Sequence, residues 1–237
     1  MSTTPIVALD TATTHQALSI VDELGDACHF YKVGSELFTA VGPAIIRELR
    51  GRRADVFLDL KFHDIPSTVA RAVARAADLG ARLVTVHAVG GEAMLRAAVD
   101  AVADTPHCGV LAVSILTSLT ASDVSSAWGR SGAVDLQAEV ARLAELAVRA
   151  GAHGIVCSGQ EAAAVRRRFG DQVAVLVPGV RPLGVDANDQ ARVVTPREAA
   201  AAGARYVVIG RAVTSAMNRR HALAGVLREL VGPSHGA

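Results

Sequence analysis

At the end of an apolar run, Asp59-Leu60-Lys61-Phe62-His63-Asp64 brings two carboxylates, an ammonium and an imidazole within six residues. The run Asp55–Phe62 has the composition of a strand, and side chains along a strand alternate faces. Asp59 and Lys61 therefore point one way, and Leu58 and Leu60 the other. Burying such charges costs several kcal/mol unless they are paired, which places the pair at an open strand end. A salt bridge that only plugs the interior is the alternative. Asp64 follows on a loop before Pro66, either reaching to another site or capping the helix that the proline opens.

Other polar residues recur at the ends of apolar runs: Asp10, Lys32, His87, Arg181 after Pro178-Gly179-Val180, and Arg211 after Gly210. Taken singly, each reads as a solvated strand end, and His87 as a satisfied structural histidine. Together they point to one rim. Gly210-Arg211 lies between a strand-type and a helix-type run, where helix-start amides and a guanidinium make an anion site. Arg181 can face the same anion. A glycine turn with an exposed arginine is the plainer reading.

These residues need a scaffold that brings strand ends together. Eight strand-type runs are expected at Pro5–Asp10, His29–Gly34, Asp55–Phe62, Leu83–Ala88, Gly109–Leu116, Gly154–Ser158, Val173–Gly179 and Tyr206–Gly210. Most are too apolar to be half-exposed, as in parallel strands covered on both faces. Helical patterns alternate with them at His15–Leu24, Pro43–Arg50, Ser67–Leu79, Glu92–Val102, Asp135–Ala150, Glu161–Phe169, Pro196–Ala202 and Ala212–Leu230. Thr14, Asp135 and Thr195-Pro196 read as helix starts, and Gly80, Gly151 and Gly203 as stops. Eight βα units without a linker predict one α/β domain over 1–237, a single (β/α)8 TIM barrel. A doubly wound open sheet is the alternative. The barrel puts its active site at the C-terminal strand ends, where these polar residues fall. Two longer irregular stretches, Thr117–Val134 (with a short helix near Ala121–Trp128) and Leu183–Val193, are candidates for functional loops.

The chain has 237 residues, 51% of them hydrophobic, with net charge +1 and 3% aromatic residues. That fits a well-buried globular protein without a basic field or a stacking platform for nucleic acid. Three cysteines, Cys28, Cys108 and Cys157, lie far apart in apolar stretches and read as reduced core thiols of a cytoplasmic protein. No signal peptide or membrane span is expected. No HExxH, paired cysteines, GxGxxG, P-loop or GxSxG occurs, so neither a metal nor a cofactor is expected.

The segment Asp59–Thr68 resembles the DxKxxDIPxT pattern of the orotidine 5′-monophosphate decarboxylase family. The resemblance continues in family order through Val7–Asp10, Tyr31–Gly34, Leu116–Ser118, Pro178–Pro182 with Asp189-Gln190, and Val208–Arg211, spanning Pro5 to about Leu230. It implies a cofactor-free barrel enzyme that converts orotidine 5′-monophosphate to UMP. Lys61 would protonate C6 as carbon dioxide leaves, and Lys32, Asp59, Lys61 and Asp64 would form an alternating charge array. Asp10 and Lys32 would bind ribose hydroxyls. Asp59 would sit beside the substrate carboxylate, and Thr117 would contact the pyrimidine. Pro178, Arg181, Gln190, Gly210 and Arg211 would hold the phosphate region. Asp64, with Ile65 and Thr68, would complete the site of the partner subunit in a homodimer. Magnesium-dependent phosphosugar enzymes such as 3-keto-gulonate 6-phosphate decarboxylase share DxKxxD, but the Gly-Val-Arg and Asp-Gln segments point away from them. A non-catalytic nucleotide-binding barrel would have no use for the full charge set.

Overall fold

The computed structural model describes residues 3–182 and 193–231. The first half runs β1 (Thr4–Ala8), α1 (Thr14–Leu24), β2 (Phe30–Gly34), α2 (Ser35–Val41), α3 (Ala44–Gly51), β3 (Asp55–Phe62), α4 (Pro66–Asp78), β4 (Leu83–His87) and α5 (Glu92–Asp100). The second runs β5 (Gly109–Val113), α6 (Ala121–Ala127), α7 (Leu136–Ala150), β6 (Gly154–Val156), α8 (Gly159–Phe169), β7 (Ala174–Val177), α9 (Pro196–Ala201), β8 (Tyr206–Ile209), α10 (Arg211–Thr214) and α11 (Arg219–Val231). The eight strands are parallel and neighbour one another in chain order. β8 pairs with β1 in the register Thr4↔Tyr206 to Val7↔Ile209, which closes the sheet. The architecture is the expected (β/α)8 barrel, and this closing ladder excludes the open doubly wound sheet.

The period-2 alternation of each strand builds two apolar layers. Val7, Val33, Val56, Leu58, Val84, Ile155, Val175 and Val207 face the helices. Ile6, Phe30, Phe57, Leu83, Leu111, Leu176 and Tyr206 fill the barrel interior. Full burial of such side chains stabilises by about 1.5–3 kcal/mol each. The interior is therefore packed in its lower layers, and polar groups are confined to its two mouths. At the N-terminal mouth, Asp55 pairs with Arg82 and, at 3.3 Å, with Arg50.

Local signals explain most helix boundaries. Asp135 accepts from the amides of Gln137 and Ala138, and Thr195 forms a capping box with Glu198 ahead of Pro196. Three expectations need correction. The cap of α1 is Thr13, which accepts from Gln16 N, and Thr14 is already helical. α2 was not legible as a separate helix. The single helix expected over Ala212–Leu230 is two, because Asn218 Oδ1 accepts from His221 N and starts α11 afresh. Arg219 holds the break by donating to Thr214 O at 2.9 Å and to Glu23 of α1. The loop after α6 contains Gly129–Gly132 and is tied down by Ser125. The Ser125 hydroxyl donates to the carbonyls of Ala121 and Gly132 and accepts from Val134 N. No helix among the described residues is long and apolar enough to cross a membrane.

Candidate active site

A cavity of about 770 Å³ opens at the C-terminal ends of the strands. Its floor is the top of the apolar interior, including Ala8, Phe57, Val113 and Val208. One further step of alternation along β1, β2 and β3 puts Asp10, Lys32 and Asp59 on its wall, and Lys61 joins them there. Lys32 Nζ lies 2.7 Å from Asp10 Oδ1 and 3.9 Å from Asp59 Oδ2, and Asp59 Oδ2 lies 2.9 Å from Lys61 Nζ. Acid and base thus alternate in an unbroken row. The side chains of Lys32 and Asp59 are only 12% and 14% exposed, so their attraction is screened far less than on a surface. The pair lines an open cavity and does not plug the barrel.

The expected shared face of Asp59 and Lys61 is present, but a regular strand does not produce it. β3 pairs with β4 as Leu58↔Val84 and then as Phe62↔Val86, so β3 takes four steps where β4 takes two. The bulge brings both Asp59 and Lys61 level with Thr85. Lys61 takes up the distortion with φ +49, a left-handed conformation that strains any residue with a Cβ. Thr85 Oγ1 donates to Asp59 Oδ1 at 3.0 Å and accepts from the Lys61 amide at 2.9 Å. Gly34 closes in from β2: a Cβ there would stand 2.9 Å from Lys32 Nζ and 3.3 Å from Asp10 Oδ1.

His87, at the end of β4, lies with its ring centroid 5.6 Å from that of His63. Burial holds its pKa below the usual histidine value, and His63 and Lys61 push it further the same way against a smaller opposing pull from Asp59. His87 is therefore neutral at neutral pH and adds no third cation beside the lysines.

The rest of the cavity wall includes Thr117, Pro178, Arg181, Gly210 and Arg211, the last two beside Asp10 in barrel order because β8 pairs with β1. The turn carrying Arg181 is pinned from both sides, with Val180 N donating to Val208 O and Arg181 N to Val194 O. Gly179 has φ +69, which only glycine takes without strain, and so allows this turn. Arg181 is 7% exposed, a buried cation at the wall opposite the lysines. Arg211 is the first residue of α10, separated from the end of β8 only by Gly210 at the N-cap position.

Nine of the predicted site residues thus meet in one cavity, while Asp64, Ile65 and Thr68 do not line it. Asp64 is exposed and accepts from Ile65 N at 2.6 Å. It does not cap α4, whose N-cap position is Ile65. Ile65 is 64% exposed, and Thr68 accepts a long 3.4 Å bond from Arg71. Gln190, with Asp189 and most of the Leu183–Val193 stretch, lies outside the described residues. Sequence reasoning missed Thr85 and Gly34. Both carried a signal: Thr85 is the one polar residue inside the apolar run Leu83–Val86, and Gly34 shares the face of Lys32 two residues on.

The model of the orotidine 5′-phosphate decarboxylase / HUMPS family matches residues 3–226. An orotidine 5′-phosphate decarboxylase of Nitrosococcus oceani is 46% identical over 226 residues, 95% of this chain and 96% of the relative. One from Escherichia coli is 46% identical over 225 residues, 93% of this chain and 90% of the relative. The crystal structure of orotidine 5′-phosphate decarboxylase from Lactobacillus acidophilus superposes with a TM-score of 0.85 at 33% identity, covering 98% of this chain and all of that one (100%).

Proposed function

The chain belongs to the orotidine 5′-phosphate decarboxylase / HUMPS family, and we propose that it decarboxylates orotidine 5′-phosphate to UMP at the charge row Asp10–Lys32–Asp59–Lys61. That row, lining one cavity together with Arg181 and Arg211, is the observation that carries the reading. The C6–carboxylate bond breaks, its electron pair stays on C6, and carbon dioxide leaves. The Lys61 ammonium stabilises the pair as it develops and then transfers its proton to C6, and water reprotonates the amine. An sp² carbanion with no adjacent electron sink needs such preorganised charge, and the protein itself supplies it here. Asp59 stands beside the departing carboxylate and holds Lys61 by their 2.9 Å contact. Asp10 and Lys32 take ribose hydroxyls, and Thr117 takes the pyrimidine.

Pro178, Arg181, Gln190, Gly210 and Arg211 hold the phosphate. It is remote from C6, but its binding energy organises the charges for the chemical step. The chain works as one barrel domain over 1–237 and as a homodimer. Asp64, with Ile65 and Thr68, completes the row of the other copy. The exposure of Asp64 and Ile65 outside their own cavity supports that role. The enzyme is cytoplasmic in this reading, consistent with three buried, unbridged cysteines.

The test follows the ultraviolet change of orotidine 5′-phosphate in the presence of EDTA. Metal-independent turnover that is lost in Lys61→Ala is expected. Inert folded wild-type protein, or turnover only with added magnesium, refutes the reading. For the shared site, Lys61→Ala and Asp64→Ala are each inactive alone. After subunit exchange, they recover up to about a quarter of wild-type activity, since half the dimers then carry one intact site. No recovery rules out the exchange of Asp64.

A further inference from the structure

We propose that Thr85 is a positioning residue for the decarboxylation, setting through one hydroxyl both the rotation of the Asp59 carboxylate and the backbone of Lys61; this rests on the activity proposed above. Thr85 is fully buried on β4 between Val84 and Val86 and does not line the cavity, so it acts only through its neighbours. A hydroxyl buried in an apolar strand is costly unless satisfied, and valine would fill the same volume without that cost. Both functions of the hydroxyl are spent on the catalytic segment: it donates to Asp59 Oδ1 at 3.0 Å and accepts from the Lys61 amide at 2.9 Å.

With Oδ1 held by Thr85, Oδ2 is turned to Lys61 Nζ at 2.9 Å and Lys32 Nζ at 3.9 Å. The carboxylate therefore cannot swing without breaking a charge-assisted bond. The second bond meets Lys61 where β3 leaves its regular ladder and φ is +49. Strained conformations persist only where the surroundings over-determine them, and Thr85 is the group on β4 that engages the bulge. Without the hydroxyl, the carboxylate gains a rotational freedom and the bulge loses its anchor, so the ammonium is no longer fixed relative to the reacting carbon.

The experiment compares Thr85→Val and Thr85→Ser with wild type by kcat and KM for orotidine 5′-phosphate, by the dissociation constant for UMP, and by thermal unfolding. Thr85→Val leaves the Lys61 amide and Asp59 Oδ1 without this partner, and is expected to unfold no more than about 10 °C below wild type and to bind UMP within about threefold of wild type. Its kcat should fall about 10- to 100-fold, the loss set by a hydrogen bond to a charged group. Thr85→Ser should restore most of kcat. Should the valine variant fail to fold, Thr85→Cys set against Thr85→Ser repeats the comparison in a smaller side chain, because a thiol is a weak donor. Wild-type kcat in Thr85→Val, a serine variant as slow as the variant lacking the hydroxyl, or a parallel loss of UMP affinity overturns the proposal. Wild-type protein inert toward orotidine 5′-phosphate overturns the activity and this proposal with it, and the wild-type assay alone separates the two failures.

Discussion

Gly34→Ala should separate the charge row from the fold that carries it. The added Cβ would stand 2.9 Å from Lys32 Nζ and 3.3 Å from Asp10 Oδ1, inside ordinary van der Waals contact. The backbone at Gly34 has φ −93, which alanine adopts freely, so the strain falls on the flexible end of Lys32. Relieving the contact moves the ammonium by about 0.5–1 Å. At an effective dielectric of about 20, a pair at 2.7 Å attracts by ~6 kcal/mol and loses ~1–1.7 kcal/mol over that shift. Asp10 is 57% exposed, and solvent screening leaves roughly 1 kcal/mol of this, about a fivefold effect. Misplacing a charge that in the proposed reaction orients substrate adds to it, since 1 Å can cost up to about 100-fold. The expected result is a kcat/KM lowered about 10- to 100-fold, with an unfolding temperature within about 3 °C of wild type. Gly51→Ala, at the end of α3 where a Cβ meets nothing within 4 Å, is the control and should keep full activity. Wild-type kcat/KM in Gly34→Ala, or a loss matched by loss of fold, would refute the reasoning.

Arg211→Ala should lower kcat/KM far more than it lowers the unfolding temperature, and steady-state kinetics beside a melting curve checks it; unchanged kcat/KM in a destabilised variant would remove Arg211 from the proposed phosphate site. Gly154→Ala should do the opposite, because its Cβ would meet the Ala174 carbonyl oxygen and Leu111 Cδ2, each at 2.6 Å, where β6 packs against β7. Overpacking against rigid backbone predicts a loss of about 2–3 kcal/mol, or about 5–10 °C, read by thermal unfolding. Stability should also fall on mild acidification. Burial, with smaller contributions from Arg205 and Arg82, holds the His153 pKa below its ordinary value. The unfolded chain then binds the proton first, so this stability is complete above about pH 6.5 and is lost as pH drops toward the lowered value. His153 also bonds Tyr206 Oη at 3.0 Å, and His153→Gln should flatten the decline in unfolding temperature between about pH 6.5 and 5. An unchanged slope would assign the effect elsewhere.

What the sequence determined by itself was whatever depends on periodicity and local chemistry. Apolar runs such as Leu83–Val86 and Val207–Ile209, alternating with amphipathic helices, specify parallel strands covered on both faces, while closure into a barrel rests on the β8–β1 ladder. Period 2 then assigns Asp10, Lys32 and Asp59 to one face and one end. Caps such as Asp135 and Thr195 are equally local, because their partners lie two or three residues away. Only the tertiary structure decided where two segments meet. The Asp59–Lys61 pair owes its geometry to a bulge against β4, and a register shift leaves no mark on the alternation of either strand alone. Thr85 lies 24 residues from Lys61 in the chain, so its two bonds exist only once the barrel brings β3 and β4 side by side. The same holds for Gly34, whose missing side chain matters because Asp10 and Lys32 arrive from neighbouring strands. The break before α11 starts at the local Asn218 cap but is held by Arg219 reaching Glu23, 196 residues earlier. Local composition thus chose the elements and the rim, while long-range contacts set the ångström-scale placement of the charges lining the cavity.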